Sequence, residues 1–166
     1  MVSSLDIFGK ALMAYCHGDI EPIYIHRDDG IRDCDYLDDY FSEYSDWPKY
    51  EREALNYVRG MVLDVGCGAG RHSLWLQENG FNVVAVDISP EVAKVARLRG
   101  VRNCVTMSAL NLGFKPNFFD TILLMGNNFG IAGSVKATEE FMKALYDISK
   151  VEGWGNRYKP RPNCNS

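Results

Sequence analysis

The stretch VLDVGCGAGRH, residues 62–72, places Gly66, Gly68 and Gly70 directly after a short apolar run. The apolar run predicts a buried strand, and the residues after the glycines predict a helix. Glycines at such a turn let the chain bend tightly and let a ligand touch the backbone, while the free N–H groups of the helix start suit polar or anionic groups. The stretch predicts a binding site for a nicotinamide dinucleotide, a nucleotide phosphate or another adenosine-bearing cofactor.

The spacing of the glycines separates these three ligands. A phosphate-binding loop reads G-x-x-x-x-G-K-[ST], and no lysine follows Gly70. The dinucleotide fingerprint reads G-x-G-x-x-G, whereas G-x-G-x-G here is one residue tighter. Asp87 ends the next apolar run, where a carboxylate lies beside the glycine turn and can accept both ribose hydroxyls. Together these features favour an adenosine-bearing cofactor.

Apolar runs and helical patterns alternate from residue 61 to residue 150. The predicted strands are MVLDV, NVVAVD, NCVTM and FDTILLM, and the predicted helices are RHSLWLQEN, EVAKVARLR and TEEFMKALYDISK. Such alternation is typical of a parallel sheet with right-handed crossovers. We therefore expect an α/β fold: a Rossmann-like, doubly wound, mainly parallel sheet with flanking helices.

Residues 1–60 have a different texture, acidic and rich in tyrosine. They predict an amphipathic N-terminal helix, a hairpin turning at Asp29-Gly30, and a helix that Asp46 caps and that runs to Gly60. The segment is interpreted either as a solvated acidic face or as a cap or lid over a site at residues 61–150. In the second case its tyrosines are candidates to contact a ligand: Tyr24, Tyr36, Tyr40 and Tyr44.

Composition and charge limit the class of protein. The net charge of −4 argues against a general nucleic-acid binder. The five cysteines are scattered with no CxxC pair, which argues against a zinc site or a redox pair and suits reduced thiols in the cytoplasm. Cys67 is interpreted as a packing residue rather than a nucleophile. No metal site, signal peptide or membrane span is expected.

Residues 47–149 resemble the class I S-adenosylmethionine-dependent methyltransferases, most specifically through VLDVGCGAGRHSLWLQENGFNVVAVDISP. The resemblance implies methyl transfer from S-adenosylmethionine, with S-adenosylhomocysteine as product, and the acidic charge balance favours a small molecule or a protein as the acceptor. The resemblance also implies that the glycine loop contacts the methionine portion and the ribose, that Asp64 holds the amino end directly or through water, and that Asp87 binds the ribose. The full set of implied cofactor residues is Asp64, Gly66, Cys67, Gly68, Gly70, Asp87, Ile88, Ser108, Ala109 and Asn127.

Two departures from the family pattern bear on function. The third motif often reads Gly-Asp-Ala, whereas this chain has Met107-Ser108-Ala109, so a neutral hydroxyl replaces the acid near the adenine and predicts modest affinity. No N-P-P-[YF] follows the fourth strand, which argues against methylation of amino groups on DNA bases. An NAD(P)-binding oxidoreductase domain and a non-catalytic S-adenosylmethionine-binding remnant stay as alternatives.

The number of strands is smaller than the family pattern implies. Class I sheets usually have seven strands, four are recognisable here, and residues 151–166 predict an irregular tail. The run FDTILLM would then be an exposed apolar edge, which tends to pair with another chain. We therefore expect a chain truncated or frame-shifted near residue 150, or a natural short form whose homodimer covers the edge.

Overall fold

The computed structural model describes residues 6–126 and 128–150. The N-terminal part of these residues contains short elements. They are α1 (Ile7–Cys16), β1 (Ile23–His26), β2 (Arg32–Asp35), α2 (Asp38–Phe41) and α3 (Lys49–Ala54). β1 and β2 form an antiparallel hairpin in which Arg27 N–H bonds to the Ile31 carbonyl around the predicted Asp29-Gly30 turn. The predicted N-terminal helix and hairpin are thus confirmed.

The remaining elements alternate between strand and helix. They are β3 (Met61–Val65), α4 (Arg71–Glu78), β4 (Asn82–Asp87), α5 (Pro90–Leu98), β5 (Cys104–Thr106), β6 (Thr121–Leu123) and α6 (Val135–Ile148). The four strands β3 to β6 are parallel and lie in the order β5-β4-β3-β6. This order confirms the predicted Rossmann-like α/β class.

The strand order determines where a ligand can bind. The chain moves outward from β3 to β4 and β5, then returns to place β6 on the other side of β3. Loops that leave β3 and β6 therefore diverge at the carboxyl end of the sheet and open a crevice between them. The glycine loop leaves β3, and Asn128 follows β6. The topology alone brings these two segments to one place.

The N-terminal segment packs directly on the α/β core. Leu12 of α1 is fully buried in one apolar cluster with Val92 and Val95 of α5. The Asp6 carboxylate accepts hydrogen bonds from the Gly9 N–H at 2.9 Å and from the Ser89 hydroxyl. Asp6 therefore caps α1 and is also bonded to Ser89, the residue that caps α5.

The helix predicted from Asp46 to Gly60 is shorter than expected. Its N-cap is Pro48, which has no side-chain cap, and Asp46 lies in a preceding 3-10 turn where its carboxylate accepts from the Ser45 hydroxyl. α3 ends at Ala54 and continues as a 3-10 turn, Leu55–Tyr57. Burial of Trp47, Leu55 and other apolar side chains against the sheet sets this path, so the predicted Asp46 cap and helix length were wrong.

The chain that follows α6 forms backbone hydrogen bonds with the residue at the start of the outer edge, before β6. Phe119 N–H donates to the Ile148 carbonyl at 3.0 Å, and Lys150 N–H donates to the Phe119 carbonyl at 2.8 Å, in parallel register. The beginning of this edge is therefore paired within the chain. The predicted tail, residues 151–166, lies outside the described residues, and the homodimer across this edge stays a prediction. None of the helices in residues 6–126 and 128–150 is long and apolar enough to cross a membrane.

Candidate cofactor site

The glycine loop adopts a conformation that suits glycine alone. Gly66, Gly68 and Gly70 all have positive φ, at 69°, 56° and 82°. A Cβ built on Gly66 would lie 2.7 Å from the Asn128 amide nitrogen, which is too close for a real side chain. The N–H groups of Gly66 and Cys67 donate to the Val86 carbonyl of β4 at 2.8 and 3.1 Å. The loop is thus held against the neighbouring strand with its backbone exposed on one side.

A cavity of about 410 Å³ opens at this end of the sheet. Its volume lies within the range of natural small-molecule sites. Seven of the ten residues that the sequence pointed to line it: Gly66, Cys67, Gly68, Asp87, Ile88, Ser108 and Ala109. The structure therefore brings most of the predicted cofactor residues to one wall.

Asp87 lies beside the glycine loop, at the end of β4. Its Oδ2 accepts from the Gly68 N–H at 3.2 Å and its Oδ1 accepts from the Ser89 N–H at 3.0 Å. A carboxylate with one bond on each oxygen still has free lone pairs. Burial raises the pKa of Asp87, and the two backbone N–H groups offset part of that rise. Asp87 is a partly desolvated acceptor on the cavity wall.

Two predicted residues lie off the cavity wall, and a third falls outside the described residues. Asp64 is 1% exposed and is not on the cavity wall; its Oδ2 accepts from the Ser73 hydroxyl at 2.6 Å, and burial raises its pKa. Gly70 also lies off the wall, where an added Cβ would be 2.6 Å from Val101 Cγ2. Its lack of a side chain therefore serves close packing on Val101 and on Ala96 of α5. Asn127 lies outside the described residues.

Asn128 holds the glycine loop from the side of β6. Its amide nitrogen donates to the Val65 carbonyl at 2.8 Å and to the Gly66 carbonyl at 2.9 Å. The backbone pairing between β3 and β6 ends before Val65, so these two carbonyls lie beyond it. Asn128 also lines the cavity, so it links the fourth strand to the ligand side of the first.

A buried charged cluster beside the loop was not predicted. Both carboxylate oxygens of Glu51 in α3 accept hydrogen bonds from the Arg71 guanidinium, Oε2 at 2.8 Å and Oε1 at 3.1 Å. The Glu51 Oε2 is also 3.0 Å from His72 Nε2. The Glu51 side chain is 5% exposed, and Trp47 packs edge-on to the His72 ring. Arg71 and His72 line the cavity, whereas Glu51 stands behind them. The Arg71-His72 pair directly after the loop was the sequence signal for this cluster, but its partner, Glu51, lies 20 residues earlier.

The N-terminal segment provides the opposite wall. Phe8, Asp35, Asp39 and Tyr40 line the cavity, and a Cβ on Gly68 would lie 3.6 Å from the Tyr40 ring. Of the four candidate tyrosines, Tyr40 is the one on the wall. Tyr24 and Tyr36 are exposed, and Tyr44 stacks on Trp75 at 4.7 Å.

Arg99 of the α5 C-terminus fixes this wall to the loop. Its guanidinium donates to the Ala69 carbonyl at 2.7 Å and to the Tyr40 and Phe41 carbonyls at 3.2 and 3.3 Å. It also lies over the Phe41 ring, 4.7 Å from the centroid. One side chain thus orients both the glycine loop and the segment that covers it.

The charges on the cavity wall are unequal. Asp35, Asp39 and Asp87 contribute three carboxylates, and Arg71, whose charge Glu51 already balances, is the permanent cation among the described lining residues. The wall therefore favours a ligand that carries positive charge over one that carries several negative charges.

Comparisons with known proteins agree with this geometry. The family model described as a methyltransferase domain matches residues 63–154. A ubiquinone biosynthesis O-methyltransferase of Xylella fastidiosa (strain M23) is 39% identical over 54% of this chain and 46% of its own length. The chain thus spans less than half the length of this curated relative.

Solved structures show the same fold. A SAM-dependent methyltransferase from Bacteroides fragilis, in complex with S-adenosyl-L-homocysteine, has a TM-score of 0.74 and 32% identity, covering 86% of this chain and 59% of that one. The [4+2]-cyclase SpnF, at 16% identity and a TM-score of 0.56, covers 87% of this chain and 54% of its own, and shares the fold alone. Since the family model covers more than half of the chain, this protein belongs to the methyltransferase domain family and has the Rossmann-like fold of class I methyltransferases.

Proposed function

We propose that this chain binds S-adenosylmethionine and takes part in transfer of its methyl group to a small molecule. The observation that carries the proposal is the Asp87 carboxylate, which lines the cavity beside the glycine loop and is bonded to the Gly68 N–H at 3.2 Å. A carboxylate in this position can accept hydrogen bonds from the two hydroxyls of a ribose, and the glycine backbone next to it can contact the rest of the cofactor.

The other lining residues fit the parts of the same cofactor. Ile88 is 57% exposed beside Asp87, so its side chain offers an apolar face to an adenine ring. Ser108 and Ala109 lie beyond it, where the Ser108 hydroxyl can hydrogen-bond the ring edge. Arg71, fixed by Glu51, suits the carboxylate of a methionine portion. Asp64 stays a proposed partner of the amino end, through water, since it lies behind the loop.

The bound cofactor would supply an electrophilic methyl group on a sulfonium sulfur. The residues of this chain then have few proton transfers to perform, because direct displacement depends mainly on alignment and exclusion of water. Tyr40, Phe8 and the glycine loop line the cavity together, and the proposal places the sulfonium between them. The carboxylates of Asp35 and Asp39 favour its positive charge.

An NAD(P)-dependent oxidoreductase is the weaker alternative. The two phosphates of a dinucleotide would enter a cavity whose wall carries three carboxylates and one paired guanidinium. Such a ligand would meet unfavourable charge on most sides. The same charges are favourable for S-adenosylmethionine.

We further propose a small molecule as the methyl acceptor and the cytoplasm as the site of action. The O-methyltransferase relative from Xylella fastidiosa points to a hydroxyl as the accepting group. The negative net charge disfavours nucleic acid as substrate, as the sequence predicts. The described cysteines are all free thiols, which suits a reducing compartment.

Calorimetry tests the cofactor proposal. We expect S-adenosylmethionine and S-adenosylhomocysteine to bind at one site per chain, and NADH not to bind. Asp87→Ala should remove most of the affinity, whereas Asp147→Ala on the exposed face of α6 should not change it. Binding of NADH alone would overturn the proposal.

Transfer is tested separately with S-adenosylmethionine that carries a radiolabelled methyl group. Label that moves into phenolic small molecules supports the proposed reaction, and label that moves into precipitated protein favours a protein acceptor. Binding without any transfer to either class favours the non-catalytic alternative for this chain.

A further inference from the structure

Two buried thiols meet at the glycine loop although they are far apart in sequence. Cys67 lies in the loop after β3 and Cys104 begins β5, and their sulfur atoms are 3.9 Å apart. β4 lies between the two segments: the Cys67 N–H donates to the Val86 carbonyl, and Cys104 pairs with Ala85. The contact is therefore a consequence of strand order, and the spacing of the cysteines in the sequence does not predict it.

We propose that Cys67 and Cys104 form an oxidisable dithiol that closes to a disulfide and weakens ligand binding at the cavity. The first part concerns the chain alone, whereas the effect on binding rests on the proposed S-adenosylmethionine site. Oxidation by a hydroperoxide joins the two sulfurs: each thiol loses one proton and one electron, the S–S bond forms, and the O–O bond of hydrogen peroxide breaks to give two waters.

The cavity gives a small oxidant access to Cys67, the member of the pair that lies on its wall. Cys67 and Cys104 are only 6% and 8% exposed, yet Cys67 lines the cavity and is reachable from it. Hydrogen bonding from Cys67 lowers the pKa of the Cys104 thiol, while that contact and burial raise the pKa of Cys67. Cys104 therefore has the greater share of thiolate, the form that reacts with peroxides. A ligand that fills the cavity should shield the pair.

Closure of the disulfide brings the two sulfur atoms closer together. A disulfide has an S–S distance of about 2.05 Å, so the sulfurs must approach by almost 2 Å from their present contact. Cys67 lies between two glycines of positive φ, and the next N–H bonds to Asp87. Any movement of the Cys67 backbone during closure would therefore change the loop at the place where it would contact the cofactor.

The test uses the reduced full chain, oxidised with hydrogen peroxide in the presence or absence of S-adenosylhomocysteine. Free thiols are alkylated, the protein is digested without reduction, and linked peptides are identified by mass spectrometry. We expect a Cys67–Cys104 link that dithiothreitol reverses and that S-adenosylhomocysteine slows. Cys16 and Cys34, which are exposed, report that the oxidant acted. Their oxidation without a Cys67–Cys104 link would overturn the dithiol.

The effect on the site is measured by calorimetry before and after oxidation. We expect S-adenosylhomocysteine affinity to fall at least tenfold in the oxidised protein, and Cys104→Ala to keep its affinity through the same treatment. Cys104→Ser serves if the alanine variant does not fold. An equal loss in the Cys104 variant, or a linked protein with unchanged affinity, would overturn the proposed effect. Failure of the reduced protein to bind any S-adenosyl compound would instead overturn the proposed function and leave the linked-peptide result intact.

Discussion

The Asn128 side chain donates a hydrogen bond to the Gly66 carbonyl at 2.9 Å, and through the same nitrogen to the Val65 carbonyl at 2.8 Å. Gly66 and Asn128 are 62 residues apart, and they meet because β6 lies beside β3 in the sheet. The first residue of the proposed cofactor loop is therefore held by a residue of the fourth core strand's loop.

Replacement of Asn128 by alanine should loosen the glycine loop. Each lost hydrogen bond contributes about 1 kcal/mol net, so we expect roughly a tenfold loss of S-adenosylhomocysteine affinity and a modest decrease in thermal stability. Calorimetry and thermal unfolding measure the two effects. Asn56→Ala, at an exposed position, is the matched control and should change neither. Equal behaviour of the two variants would show that the Asn128 bonds do not hold the loop.

Gly66→Ala should impair binding beyond the cost of backbone strain. Its φ is 69° and an added Cβ would lie 2.7 Å from the Asn128 amide, so the loop or Asn128 must move. Gly80→Ala is the control, because Gly80 has φ of 83° and nothing within 4 Å of an added Cβ. We expect each to lose about 1 kcal/mol of unfolding free energy through strain. Loss of ligand affinity should be confined to Gly66→Ala.

Glu51→Ala should be strongly destabilising. The Glu51 carboxylate is 5% exposed and bonds to both Arg71 and His72, and removing one partner of a buried ion pair typically costs about 3–5 kcal/mol. Glu53→Ala, two residues later in α3, removes a carboxylate whose pair with Lys49 is largely exposed, and should cost close to nothing. Chemical denaturation compares the two variants.

Glu51→Gln separates folding from binding at the same position. The amide keeps the size of the side chain but removes the negative charge that balances the Arg71 guanidinium. We expect a folded protein whose S-adenosylhomocysteine affinity is several-fold lower, because Arg71 on the cavity wall would lose one of the two oxygen acceptors that orient it. Unchanged affinity in a folded Glu51→Gln protein would contradict an orienting role.

Ligand affinity should depend on pH through Asp87. Burial raises its pKa above the usual value of about 3.9, so the carboxylate takes up a proton at a higher pH than an exposed aspartate does. Affinity should be full above the raised pKa and should fall as the pH decreases through it, because the neutral group has lost its charge and an acceptor. Calorimetry from neutral to acidic pH measures the midpoint. Asp87→Asn should bind weakly with no such midpoint.

Much of the site could be predicted from residues 61–87 because its parts are contiguous. A strand, a glycine turn, a helix start, a second strand and a terminal acid follow one another, and parallel βαβ geometry leaves little freedom in how they fold. Gly66, Gly68 and Asp87 therefore appear on the cavity wall as expected. Asp64 and Gly70 belong to the same motif but lie off the cavity wall. Asp64 is hydrogen-bonded to Ser73, and Gly70 packs against Val101.

By itself, then, the sequence determined the fold class, the glycine loop and the acid beside it, since local periodicity and short spacings encode these. Only the tertiary structure decided that Glu51 stands behind Arg71, that Tyr40 rather than Tyr24, Tyr36 or Tyr44 covers the loop, and that Cys67 meets Cys104. The physical reason is the same in each case. Contacts between distant segments depend on strand order and on which side chains the core can bury, and the spacing of neighbouring residues determines neither.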